Sequence, residues 1–263
     1  MSALFNSILR KLRRRDRRGW ALPLAVLLTW YLATHFAWVN TRLIVPPGNV
    51  LAEAWHTIAR GSFLDDVAAS LARDLGGFIL GSAAGIALGT LLGMSRYAER
   101  FFGPSFHALR QISLFAWLPL VTSWLGNGNE AKVLFVAVSA FYPVTLGALE
   151  GVRGISAAHA EVVRVFAFTR WQCLTRLVLP GAAPQIFTGL RLGLMYAWLG
   201  TIGAEYLLPK DGIGIGNTVI KGRAAFNIEL LVVGLLAIGI IGAMLARIAS
   251  HIETRSLRWR LTR

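Results

Sequence analysis

Several uninterrupted apolar runs, each separated from the next by polar chain, restrict what this sequence can fold into more than any other feature. A helix that crosses a bilayer needs about 20 mostly apolar residues, because inside lipid only a helix or a closed barrel satisfies its own backbone. Residues 20–39, 67–94, 112–125, 131–149, 186–205 and 228–248 form such runs. They are continuous rather than alternating, which argues against a β-barrel. The expected fold is therefore all-α: a polytopic transmembrane helical bundle of six spans. Hydrophobic residues make up 55% of the 263 positions, more than a soluble domain of this size needs.

Finer patterning supports helix packing. Gly77, Gly81, Gly85, Gly89 and Gly93 recur at every fourth position of the second run and share one face, with Gly76 beside it. Small residues let helix backbones meet closely where lipid offers no hydrophobic drive. Pro119 in the third run and Pro143 in the fourth each free a carbonyl that protein or cavity water must satisfy. Pro46-Pro47-Gly48-Asn49 and Gly126-Asn127-Gly128-Asn129 read as turns. Short surface helices are expected over 50–60 and within 95–110, and one more within the loop 206–227.

The formal net charge is +14, which in a soluble chain would suggest nucleic acid. Between apolar runs it reads instead as positive charge on cytoplasmic loops, and no nucleic-acid partner is expected. With the N-terminus inside, nineteen Lys and Arg fall in inside segments and six in outside segments. Both termini are then cytoplasmic, in a multi-pass protein of a bacterial inner membrane. The division expected is a basic end over 1–19, a first span and outside segment over 20–66, a core of five spans over 67–250, and a basic tail over 251–263. The core holds a cytoplasmic loop over 150–184. The arginines of residues 10–18 abut the first run and suit anchoring to membrane lipid.

Catalytic chemistry is missing. The nearest approach to a phosphate-cradling loop, Gly126-Asn127-Gly128-Asn129-Glu130-Ala131-Lys132, is too short between its last Gly and Lys. Five scattered histidines offer no metal site, and the single Cys173 has no partner for an internal disulfide. The chain is expected to be no enzyme, with no metal and no cofactor.

Residues 161–180 form a basic insert between apolar runs. Val162, Val165, Phe166 and Thr169 fall on one helical face, then Trp171, Leu174, Leu177 and Val178 on another. Pro180 and Pro184 punctuate the return to the membrane. Two short amphipathic helices with a joint suit docking to a partner; the pattern alone equally suits a surface connector.

This stretch resembles the Glu-Ala-Ala loop of the membrane subunits of bacterial ABC importers. Glu161, Leu177, Leu179 and Pro180 stand at that motif's spacing, while Val162 and Val163 replace its two alanines and Ala167 its glycine. Alanine there costs roughly 1 kcal/mol if the joint is left-handed. Leu109-Arg110-Gln111-Ile112, Ala116-Trp117-Leu118-Pro119-Leu120, Phe141-Tyr142-Pro143, Thr188-Gly189-Leu190-Arg191-Leu192, Ala204-Glu205 and Gly212-Ile213-Gly214 resemble the permeases for sulfonates, taurine and nitrate. The likeness covers residues 20–250.

The resemblance implies a type I ABC-importer permease. It would pair with a second permease subunit as a homodimer, two copies of a cytoplasmic ATP-binding subunit and a periplasmic substrate-binding protein. The substrate implied is a small oxyanion, with an aliphatic sulfonate favoured and nitrate, taurine or another small solute as alternatives. Glu161, Val162, Val163, Arg164, Ala167, Phe168, Arg170, Leu177, Leu179 and Pro180 would couple it to the ATPase. Candidates for the translocation path are Trp117, Pro119, Tyr142, Thr188, Arg191, Tyr196 and Trp198. Arg191 is read either as guiding an anion or as snorkelling to headgroups, and the aromatics as path or as packing. Arg73 and Asp74 are expected to pair between helices, and Glu205 either to pair with a cation or to mark a gate rim. A rival reading is an ion-gradient-driven transporter or channel. It would place ionisable residues at mid-membrane, whereas here most charges lie near span ends.

Overall fold

Glycine sets how closely the longest helices meet. In the computed structural model, which describes residues 21–41, 43–156, 161, 166, 168–208 and 212–257, every described regular element is helical. Helix α1 spans Ala21–His35, α2 Pro47–Ala59 and α3 Ser62–Met94. Helix α4 covers Arg96–Leu109. A 3₁₀ turn at Leu114–Trp117 leads into α5, Leu118–Leu125, and α6 covers Asn129–Arg153. Helix α7, Arg170–Cys173, runs through a π turn at Leu174–Val178 into α8, Leu179–Leu207. Helices α9, Ile215–Ala224, and α10, Ile228–Ser256, complete the order.

Helix α6 is the central pillar, with α3 packed on one side and α8 on the other. The expected glycine stripe forms the first contact. A Cβ on Gly81 would lie 2.1 Å from the Ala137 carbonyl oxygen, and one on Gly89 would lie 2.3 Å from that of Thr145. Gly77 and Gly93 meet Val136 and Val152, while Gly76, off the stripe, faces open space. On the other side Gly147 and Gly189 bring α6 and α8 together, a Cβ on Gly147 falling 2.8 Å from the Gly189 Cα. Dispersion between close backbones replaces the hydrophobic drive that lipid does not supply.

Among the described residues, three helices combine crossing length with apolar composition: α3, α6 and α10. Helix α8 has 29 residues, about 44 Å of helix, and lies between them in the bundle. The expected third span, 112–125, differs. Its helical part is the 3₁₀ turn and α5, about 18 Å of chain, and cannot cross a core of about 30 Å by itself. Pro119 fills the first turn of α5, where its missing N–H costs nothing, so the chain restarts a helix there rather than continuing one. The expected breaks at Pro180 and Pro184 also differ, since both lie inside α8. Pro180 occupies its first turn, and the preceding π turn absorbs the altered hydrogen-bond register.

Helix α10 leaves a stripe of Leu236, Ile240, Met244, Ile248 and Ile252 exposed, as a lipid-facing surface would. At its other end it joins α1 and α2 through Val45, Val50, Val233 and Trp30, and the Trp30 indole donates to the Val45 carbonyl at 3.0 Å.

Candidate translocation cavity and polar lock

A cavity of about 480 Å³ lies between α6, α8 and the chain that follows α4. Helix α6 contributes Ser139, Tyr142, Pro143 and Glu150, and α8 contributes Gln185, Thr188, Leu192 and Tyr196. These positions follow helical spacing, so each helix turns one face to the cavity. The Gly147–Gly189 contact forms part of its wall, and Arg110, Gln111, Ile112 and Leu114 close another side. The wall is apolar with hydroxyl and amide groups interspersed. Such a surface holds a small polar solute weakly, as passage requires.

Of the seven path candidates, Tyr142, Thr188 and Tyr196 line this cavity. Trp198 is buried on another face of α8, where its indole donates to the Ile238 carbonyl of α10 at 3.2 Å. Arg191 also turns toward α10 and pairs with Glu253 at 3.3 Å. Trp117 and Pro119 stand outside the cavity wall, on the 3₁₀ turn and α5. Sequence reading had not singled out Ser139, Glu150 or Gln185, although the spacing of Gln185 from Thr188 and Leu192 marks the same face.

A buried polar network sits near the Leu207 end of α8. Asp66, Ser70, Arg73 and Asp74 form one stripe on α3. The fully buried Glu205 of α8 accepts from Arg73 Nη1 at 2.7 Å, from Ser70 Oγ at 2.8 Å and from the Gly216 N–H at 2.9 Å. Asp66 accepts from the Gly214 N–H at 2.8 Å and from Thr218 Oγ1 at 3.1 Å. Ser70 Oγ accepts from the Ile215 N–H at 2.9 Å, and Arg73 also donates to the Ile213 carbonyl. The first N–H groups of α9 thus meet two carboxylates, the charge a helix N-terminus favours. Gly214 has φ +130°, and a Cβ there would fall 2.5 Å from the Glu205 carboxyl carbon, so only glycine fits. Thr201 Oγ1 donates to Asp74 Oδ1 at 3.3 Å. The interhelical pairing expected of Arg73 and Glu205 is therefore present, with each other.

At the opposite end of α8 lies the insert over 161–180. Val162, Val163, Arg164 and Ala167 fall outside the described residues. Glu161 is exposed and Phe168 half-buried. Thr169 and Gln172 form a reciprocal capping box that starts α7. Leu174 and Val178 pack on Ala148, Val152 and Ala182 of α6 and α8, with Leu177 half-buried beside them. Trp171 turns away and is 71% exposed, as Phe166 is at 69%. The face expected to carry Trp171 together with Leu174 and Val178 is thus split, one part anchored on the bundle and one part free. Arg170, Leu179 and Pro180 are exposed around it.

Residues 79–258 match the family described as the inner membrane component of binding-protein-dependent transport systems. SsuC of Bacillus subtilis, named as an aliphatic sulfonates transport permease, is 30% identical over 95% of this chain and 92% of its own length. SsuC of Escherichia coli is 31% identical over 91% of this chain and 90% of its own. Permeases named for nitrate, taurine and bicarbonate transport are 29–31% identical. Among solved structures, a chain of the MetNI methionine ABC transporter in inward-facing conformations matches with TM-score 0.65 at 17% identity, over 75% of this chain and 97% of that one, a likeness of fold. Permeases of this family act with ATPase and binding-protein partners and are not themselves catalytic. The chain, with its glycine-packed pillar, its cavity and its matched residues, belongs to the inner membrane permease family of binding-protein-dependent ABC importers.

Proposed function

We propose that the chain forms half of a symmetric pair that passes a small oxyanion, an aliphatic sulfonate first, across a bacterial inner membrane. The cavity between α6 and α8 carries this reading. Gln111, Tyr142, Gln185, Thr188 and Tyr196 offer neutral donors to an anion, and the wall carries one cation, Arg110, and one carboxylate, Glu150. Neutral donors recognise an oxyanion without the deep well that a buried cation would create. The two sulfonate-named relatives favour the sulfonate over nitrate, taurine and bicarbonate.

The pair has six crossings per subunit with both termini cytoplasmic. Helices α3, α6, α8 and α10 supply four, residues 20–39 around the shorter α1 supply the first, and residues 106–125 together supply the third in chain order. Residues 161–180 dock in a groove on each of two ATPase subunits. Glu161, Arg164 and Arg170 give polar register, Phe168 and its neighbours area, and Ala167 the joint. Because α7 runs into α8 without a break, a push on α7 tilts α8 and one wall of the cavity.

The test is uptake into vesicles holding the chain with its partner ATPase and binding protein. Labelled aliphatic sulfonate is expected inside only with ATP, and excess unlabelled sulfonate is expected to compete better than nitrate, taurine or bicarbonate. Uptake that persists without ATP or without the ATPase would sink the coupling reading. Stronger competition by another anion would reassign the substrate.

A further inference from the structure

We propose that Arg96, Arg100 and His107 on α4 form a binding site for the phosphate headgroup of an anionic phospholipid. These residues recur at helical spacing and face an open groove of about 530 Å³, completed by Glu99, Gly103 and Pro104. Glu99 is the one carboxylate in that lining, and Arg153 of α6 engages it. Among the described residues no carboxylate pairs with Arg96 or Arg100, and both are exposed. The groove therefore has a surplus of positive charge, strengthened by the nearby N-terminus of α4.

The neighbouring face of α4 identifies the source of the phosphate. Tyr97 is 86% exposed and Phe101 76% exposed, one position along from Arg96 and Arg100. Aromatic rings beside basic residues at the end of a spanning helix mark the headgroup layer. Helix α4 begins one residue after α3, the 33-residue apolar helix, has ended. Its third face is fixed, since the buried Phe106 packs with Leu92 and Leu149. One face is thus held on the bundle, one meets acyl chains and one meets anions. A soluble phosphate would have no use for the aromatic face. Basic pockets beside spanning helices on the cytoplasmic side suit anionic lipid. The assignment to the cytoplasmic leaflet rests on the topology proposed above; the site itself does not.

The experiment places the full chain in phosphatidylcholine nanodiscs containing a phosphatidylglycerol probe with a photoreactive headgroup, and maps cross-links by mass spectrometry. Because both leaflets carry the probe, the result is independent of sidedness and of transport. Labelling is expected within residues 96–110 and is expected to fall roughly thirtyfold in the R96Q/R100Q/H107Q variant, the factor two surface cations can supply at about 1 kcal/mol each. Labelling by an acyl-chain probe along the Leu236–Ile240–Met244 stripe of α10 should not change, which shows that the variant is folded. Equal labelling of native and variant chains would overturn the site. So would equal labelling by a phosphatidylcholine probe, or displacement by inorganic phosphate, which would make it a free-phosphate site. Loss of labelling when the partner ATPase binds would assign the groove to that partner instead.

Discussion

Glu205 and Gly81 show how single residues hold this bundle. Glu205 is fully buried and accepts from Arg73, Ser70 and the start of α9, so its charge is matched on several sides. Removing one member of a buried pair strands the other, at a cost of about 3–5 kcal/mol. Glu205→Ala is expected to lower thermal stability in detergent by that scale and to free α9 for proteolysis. R73M/E205L, which removes both charges, should recover much of the loss; a double variant as unstable as E205A would show that the pair is not the source. Gly81 tests packing. Its Cβ would meet the Ala137 carbonyl oxygen at 2.1 Å, whereas Gly76 has nothing within 4 Å. Gly81→Ala is expected to cost about 1–3 kcal/mol by forcing α3 from α6, and Gly76→Ala to be neutral or slightly stabilising. Thermal unfolding of the two variants side by side checks this, and equal midpoints would contradict the close approach.

At the scale of elements, α7 runs through the π turn into α8 as one continuous stretch of helix. Leu174 and Val178 anchor it to the bundle while Phe166 and Trp171 remain outside. Exposed aromatics on and before an anchored helix are what a docking surface presents, since aromatic side chains dominate interface energetics. F166A/W171A is expected to weaken association with the ATPase subunit by tenfold or more while leaving the permease's own unfolding midpoint unchanged. A matching fall in stability would place these side chains in the fold rather than the interface. The elements differ in how plainly the sequence announces them. The glycine stripe of α3 was legible because a four-residue repeat of small residues has one use inside lipid. The polar lock was only half legible. Arg73, Asp74 and Glu205 stood out as charges in apolar runs, but Asp66 and Ser70 meet partners about 150 positions away, which no local pattern reveals. The continuity of α7 and α8 was hidden because Pro180 reads as a break, and only the π turn makes it compatible with a continuous helix.

At the scale of the whole molecule, α6 stands between a continuous contact and an interrupted one. Its glycine-packed seam with α3 runs from Gly77 to Gly93, whereas its contact with α8 is interrupted by the cavity. The lock ties α3, α8 and α9 at one end, and the insert joins α8 at the other, so force applied to the insert acts on a helix held far from it. Rocking of α8 about the lock would change the cavity most near Gln185 and least near Tyr196, the α8 lining residue nearest the lock. Single cysteines along α8 test this directly, once the half-buried Cys173 has been replaced by Ser. In vesicles, cysteines at Gln185, Thr188, Leu192 and Tyr196, which line the cavity, are expected to react with a water-soluble maleimide at least tenfold faster than cysteines at Leu194 and Ala197, which are buried. Trapping the assembled transporter with ATP and a hydrolysis-blocked ATPase should slow labelling at 185 and 188 strongly and at 196 less. A uniform change along the helix would indicate that α8 moves as a piston. No change at any position would mean that the cavity is not the part of the molecule that ATP controls.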